Sequence, residues 1–366
     1  FPYGDALCVP PEEVAVFRQT SGTTGQPVYQ PDTWQDWEWW AECWSFILWA
    51  QGYRPKDRVF IPFGYNIFVA FWAGHYAAEK IGCEVIPGGV LDTKARILKI
   101  QELQATAMMG TPTYILGMAE TAQMKMEINP SELTIDKITC AGECGASIPS
   151  TKRRLEKAWG AKVYDHAGAT EIGAWSFECQ DQPGGLHVND AMFLVEIADV
   201  ETGDIIEEPG RRGKMIITAL DRQAQPCVRF DSKDVIEWSS DPCSCGRTSR
   251  LIKGGVVGRA DDITKVKGVL LAPSAIEEVV HGIDGLGDEY EVIVDRIGHT
   301  DRIKLKVEVL PEAQDQCQLV ECELADQLRL KTNLRYDIEI CGCETLPRYE
   351  VKAKRFKDLR KKLETE

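Results

Sequence analysis

The chain has 366 residues, 44% hydrophobic and 27% charged, with a formal net charge of −15. Its length predicts two or three domains around a large core. Its charge argues against a nucleic-acid partner or an anionic membrane surface, and no apolar run is long enough to span a bilayer. Thirteen cysteines, an odd number at irregular spacings, read as reduced thiols of a reducing cytosol rather than as a disulfide scaffold. The first residue is Phe1, so targeting is only weakly constrained.

Residues 1–19 read as a lead-in, irregular around Pro10-Pro11. The run Thr20-Ser21-Gly22-Thr23-Thr24-Gly25-Gln26-Pro27 follows. Its glycines let the backbone approach a ligand, and its hydroxyls add donors for phosphate oxygens. No lysine follows the second glycine, so it is not the common phosphate loop of NTPases. Asp32 with Gln35 reads as a capping box. In the helix it opens, Trp37, Trp40 and Trp44 recur at helical spacing as core residues, with Trp34 and Phe46-Ile47 beside them.

Strands are expected at 58–62, 83–87, 107–110 and 137–140, with helices at 69–81, 93–103 and 150–159. That alternation predicts a mainly parallel sheet covered on both faces. From about residue 186 the texture turns to short strands at 192–197, 213–218 and 234–238. Beyond 259–262 come helices at 273–281 and 316–332, with strands at 291–295, 303–309 and 337–340. The fold class is therefore α/β. A large N-terminal domain of mainly parallel sheets with helices spans 1–258, with a β-rich subdomain over about 186–258. A hinge at 259–262 leads to a small mobile C-terminal α+β domain over 263–366. The basic stretch 352–362 reads as a solvated charged helix.

Cys179, His187, Cys243 and Cys245 offer three thiolates and an imidazole, the donor set of tetrahedral zinc. With all four positions filled by protein, such a zinc is structural; the bland reading is unligated cysteines. Cys341 and Cys343 with Cys317 and Cys322 form a weaker candidate cluster that lacks a nearby histidine.

The motifs are collinear over more than 300 residues. After the hydroxyl-rich loop come Phe63-Gly64-Tyr65-Asn66-Ile67-Phe68, Ala141-Gly142-Glu143 and Asp165-His166-Ala167-Gly168-Ala169-Thr170-Glu171. Then follow Arg229-Phe230-Asp231-Ser232-Lys233-Asp234, Gly258-Arg259-Ala260-Asp261-Asp262 and Leu346-Pro347-Arg348-Tyr349-Glu350-Val351-Lys352. Together they resemble the adenylate-forming enzymes, and within them the phenylacetate–CoA ligase family. The resemblance implies an ATP-dependent ligase that activates an aromatic or aryl-alkyl acid as acyl-adenylate and passes it to CoA.

Roles follow from that resemblance. Ser21, Gly22, Thr23, Thr24 and Gly25 cradle phosphates; Thr170 touches them and Glu171 holds Mg2+. Gly142, Glu143 and Asp165 border the nucleotide, while Asp234 and Arg259 take the ribose. Lys352 is the adenylation lysine, with Lys354 as its rival. Phe63, Tyr65, Phe68, Ala141, Gly168 and Ala174 form the acid's pocket. Asp261 is the hinge, and Lys267 with Gly268 meets CoA. Three departures stand out: Gln26 replaces the usual loop lysine, Ala167 the adenine-stacking tyrosine and Ala174 a common proline. Tyr164 or His166 is a substitute for the missing stack. Two other readings are an adenylyltransferase for a deazaflavin cofactor, which needs no CoA, and a non-catalytic acyl-adenylate-binding protein. A homodimer and an additional N-terminal segment are also implied.

Overall fold

A computed structural model describes residues 3–20, 27–69, 71–182, 184–260, 263–267, 269–297, 300–349 and 354–360. The chain begins with an antiparallel hairpin, β1 (Val14–Gln19) and β2 (Tyr29–Thr33), and the long helix α1 (Trp34–Ala50). Helix α1 is capped one residue later than expected. Thr33 and Asp36 exchange the reciprocal capping bonds, because the Asp32 carboxylate is engaged by Arg222. The hairpin replaces the expected irregular lead-in. Its strands are mostly half-exposed or polar and contain Pro31, as an edge ribbon tolerates.

Next come β3 (Arg58–Ile61), α2 (Trp72–Lys80), β4 (Glu84–Pro87), α3 (Thr93–Glu102), β5 (Ala107–Gly110), α4 (Pro112–Met126), β6 (Lys137–Cys140), α5 (Pro149–Trp159) and β7 (Lys162–Asp165). Their strands form one parallel sheet in the order β4-β3-β5-β6-β7. Alternate residues face opposite cores. Val59, Ile61 and Met109 pack with the tryptophans of α1, whereas Phe60, Met108, Ile138 and Val163 pack with α3, α4 and α5. Trp37, Trp40 and Trp44 are buried, each contributing on the order of 2–3 kcal/mol, and Trp34 and Phe46 are exposed.

The β-rich part starts earlier than residue 186. It contains β8 (Gly168–Ala169), β9 (Gly173–Ala174), β10 (Ser176–Phe177), β11 (Gly185–Val188), β12 (Phe193–Ala198), β13 (Arg212–Ala219), β14 (Phe230–Glu237), β15 (Leu251–Lys253) and β16 (Gly258–Arg259). A third core, built only from residues beyond 265, unites β17 (Thr264–Val266), β18 (Val269–Leu271), α6 (Pro273–Gly282), β19 (Leu286–Ile297), β20 (Thr300–Val309), α7 (Cys317–Thr332), β21 (Asp337–Cys341) and β22 (Phe356–Asp358). The C-terminal stretch is thus not a helix over its described residues: β22 adds in parallel to β19, placing Phe356 against this core. No helix among the described residues is long and apolar enough to cross a membrane.

Candidate active site

In an open parallel sheet, ligands bind beyond the carboxyl ends of the strands, where the winding reverses. Here the reversal falls between β3 and β5. The aromatic segment follows β3, Thr111 follows β5, Ala141 to Glu143 follow β6 and His166 follows β7. The hairpin reaches the same rim. The Gln19 amide donates to the Ile67 carbonyl at 3.2 Å, and Thr20 and Val28 close the hairpin's tip with bonds of 3.0 Å. Ser21, Gly22, Thr23, Thr24 and Gly25 lie outside the described residues, as do Gln26, Asp261, Gly268 and Lys352.

Thr170 and Glu171 sit half-buried at the end of a miniature hairpin, β8 with β9. Gly173 is required there: at φ +129° a Cβ would fall 2.8 Å from the Phe193 ring and 2.9 Å from Trp39. Arg222 donates to the carbonyls of Thr170 at 3.1 Å and Glu171 at 2.8 Å. Ala174 is fully buried in the core, and Gly168, its partner across the hairpin, is exposed.

Asp234 and Arg259 face each other across the β14–β16 pair. The Asp234 amide donates to the Ser232 hydroxyl at 3.1 Å, and the Arg259 guanidinium to the Ser232 carbonyl at 3.2 Å. Gly142 takes φ +88°, turning the chain so that the Glu143 carboxylate accepts from the Thr113 amide at 3.2 Å, in the first turn of α4. Asp165 is closed over by Ser147, whose hydroxyl donates to its carboxylate. Burial pushes the Asp165 carboxyl up to about 7, against the lowering effect of that bond.

Tyr164 and His166 do not replace the missing aromatic stack. Both are buried; His166 lies 4.3 Å from the Trp44 ring centroid and shares a 2.6 Å bond between its Nδ1 and the Ser176 carbonyl. Burial lowers the His166 pKa to about 4, so the imidazole is neutral and belongs to the core. The aromatic segment is half-buried. Phe63 packs on Phe71 at 5.2 Å, Tyr65 on Trp72 at 4.6 Å, and the Tyr65 hydroxyl bonds His75 Nδ1 at 2.7 Å. Phe68 is half-buried and Ala141 packs against the first core.

Two arginines flank the segment that carries Lys352. Arg348 donates to Glu120 of α4 at 2.9 Å and to Glu308 at 2.8 Å. Arg355 is buried, donating to the Thr113 hydroxyl of α4 at 3.2 Å and to Glu289 at 3.0 Å. The two arginines on either side of Lys352 in sequence thus both bond α4, the helix that starts at the crevice and whose first turn also donates to Glu143. Lys354, the rival, is exposed, and its carbonyl accepts from Tyr349. Lys267, exposed at φ +49°, sits in the turn between β17 and β18.

Away from the crevice, the ligand atoms of Cys179, His187, Cys243 and Cys245 all lie within 4.8 Å of one another. The Ser249 hydroxyl holds His187 Nδ1 at 3.1 Å, leaving Nε2 at 3.5 Å from the Cys245 sulfur. The other cysteine set does not assemble. Cys343 lies beside Glu120 and Glu308, whose carboxylates already share Arg348 as a partner, and Cys317 and Cys322 are elsewhere.

Residues 4–219 match the AMP-binding enzyme family and residues 268–360 the AMP-binding enzyme C-terminal domain. A phenylacetate–coenzyme A ligase of Pseudomonas putida is 32% identical over 361 residues, covering 96% of this chain and 80% of that protein. Its Escherichia coli counterpart is 29% identical over 97% of this chain and 81% of the relative. A 2-hydroxyisobutyryl-CoA ligase in its postadenylation state superposes with a TM-score of 0.92 at 26% identity, over 100% of this chain and 78% of that one. The same ligase with CoA in the thioesterification state gives only 0.68, over 98% and 78%. The two lobes here are thus arranged as in the postadenylation state. With a matching family model over both lobes and a curated relative at this identity, the chain belongs to the AMP-binding enzyme family.

Proposed function

We propose that the protein is an AMP-forming acid–CoA ligase acting on an aromatic or aryl-alkyl carboxylic acid of the phenylacetate kind. A carboxylate oxygen attacks the α-phosphorus of ATP and pyrophosphate leaves; the CoA thiolate then attacks the acyl carbon and AMP leaves. Such chemistry asks mainly for positioning and charge neutralisation. The observation that supports the reading most is that Arg348 and Arg355, on either side of Lys352 in sequence, both bond α4, the helix that starts where β5 ends at the crevice.

In this reading residues 1–258 and 263–366 are the two domains, with 259–262 as the hinge between them; Arg259 itself is still paired in a strand. Ser21 to Gly25 and Thr170 hold the phosphates, Glu171 the magnesium, Asp234 and Arg259 the ribose. Gly142, Glu143 and Asp165 shape the nucleotide rim, the last two through their bonds to Thr113 and Ser147. Lys352 bridges carboxylate and α-phosphate. Phe63, Tyr65, Phe68, Ala141, Gly168 and Ala174 bound the acid, Asp261 turns the lobe, and Lys267 with Gly268 meets CoA. Three thiolates and a histidine whose Nδ1 is already engaged by Ser249 fit a zinc ion, which Cys179, His187, Cys243 and Cys245 would hold to clamp the β-rich part. All thirteen cysteines are free, which supports the cytoplasm as its location. We also propose a homodimer, checked by light scattering.

ATP–pyrophosphate exchange across a panel of aryl acids, followed by CoA-dependent AMP release, tests the reading. Acid-dependent exchange and CoA-dependent release are expected. Exchange indifferent to CoA would favour the deazaflavin-type adenylyltransferase, and silence with every acid a binding protein.

A further inference from the structure

The loop carrying Arg222 contains none of the motifs, yet this side chain joins two parts of the site. Its guanidinium is 0% exposed and its partner Asp32, on β2, is 1% exposed. Nε and Nη2 donate to Asp32 Oδ1 at 3.2 and 2.8 Å. Nη1 turns the other way, to the Thr170 and Glu171 carbonyls. The loop itself is fixed by Asp36, which accepts from the Gln223 amide at 2.6 Å and the Ala224 amide at 3.1 Å while closing the cap of α1. The Trp40 ring covers the guanidinium at 5.5 Å.

Strand β2 leads back to the hydroxyl-rich tip, and β8 with β9 carries the Thr170–Glu171 turn. Each strand of that second hairpin is only two residues long, so few ladder bonds fix its end. We propose that Arg222 is a positioning residue, a brace that fixes the magnesium-holding Thr170–Glu171 turn against strand β2. This rests on the reading of Thr170 and Glu171 given above. A planar guanidinium suits the task because its three nitrogens can address a carboxylate and two carbonyls at once in fixed geometry. An ammonium can match the charge but not that fork.

The test uses Arg222→Lys and Asp32→Asn, since Arg222→Ala would strand a buried carboxylate and confound the readout with loss of folding. For each, thermal melting, MgATP binding by calorimetry, and exchange against magnesium concentration are measured in the full chain. The expected result is a folded Arg222→Lys protein whose magnesium midpoint rises by about 10- to 100-fold, the usual effect of losing an outer-shell partner. Asp32→Asn, which keeps the carbonyl bonds, shifts it in the same direction by less. A lowered melting temperature with wild-type magnesium midpoint and ATP KM in Arg222→Lys would make Arg222 a packing element and overturn the brace. Wild-type protein that bound no MgATP would instead overturn the functional reading, and the brace with it.

Discussion

The crevice is walled by two regions whose polar contacts differ in kind. On the cradle side, Asp32 and Arg222 are sealed from water, and breaking such a pair costs about 3–5 kcal/mol because a charge is left buried. Across the lobe boundary, the side chains of the Arg154–Asp288 pair are 20% and 24% exposed, and those of Arg348–Glu120 33% and 21%. Fully exposed pairs are worth about 0–1 kcal/mol each, and these partly exposed ones lie between that and a sealed pair. The first region is a frame that need never open. The second holds the small lobe through water-accessible contacts, in the arrangement of the related ligase's postadenylation state and not of its thioesterification state.

Arg154 is the densest of these releasable contacts. From α5 it donates to the carbonyls of His281, Ile283 and Leu286 and to the Asp288 carboxylate at 2.7–3.0 Å. Beside it, Ser150 and Thr151 bond Glu278 and Glu277.

The comparison is tested hardest at Lys352. Lys352→Ala should slow acid-dependent exchange by about 10²–10³, as for removing one charge-stabilising donor. Lys354→Ala should leave exchange near wild type, and the reverse order would move the catalytic role to Lys354. Next is the lobe boundary. Arg154→Ala should slow exchange roughly tenfold, the worth of one or two net hydrogen bonds, while thioester formation from supplied acyl-adenylate is unchanged or faster. Equal slowing of both half-reactions would mean that Arg154 does not distinguish the two states.

If the proposed zinc clamps the β-rich part, Cys243→Ser should lower Tm by about 5 °C or more and release the metal. Elemental analysis giving under about one-tenth of a zinc per wild-type chain would remove that clamp.

The last effect, of acid, is read in stability and not in rate. Burial lowers the His281 pKa to about 3, and its ring bonds Thr151 across the boundary at 2.7 Å. The unfolded chain takes up this proton below about 6.5 and the folded chain only near 3. His281 therefore costs stability as pH falls between those values, by a few kcal/mol at most. His281→Gln should flatten the Tm-versus-pH curve in that window, and an unchanged slope would show that another group controls it.

The parallel sheet was legible because each strand is a short apolar run between helices whose faces alternate between two cores. The site's outline was legible because its motifs are local: Asp234 and Arg259, from two separate motifs assigned to one ribose, face each other across a strand pair. What sequence could not supply was contact at long range. Asp32 and Arg222 are 190 residues apart with no shared pattern, and a lone arginine in a loop looks solvated. Asp32 was instead read as a helix cap, since an aspartate before a polar-apolar helix normally serves that way; the arginine takes it and the cap passes to Thr33. His166 shows the opposite error. Its place in a motif suggested a ligand contact, while its burial against Trp44 makes it core.

The most direct test is a structure with a hydrolysis-resistant acyl-adenylate mimic bound. The account predicts the ribose between Asp234 and Arg259, the aryl group against the Phe63 to Phe68 segment, and the Lys352 ammonium within hydrogen-bonding distance of the acyl–phosphate linkage. A mimic seated elsewhere, or seated there with Lys352 turned to solvent, would contradict it.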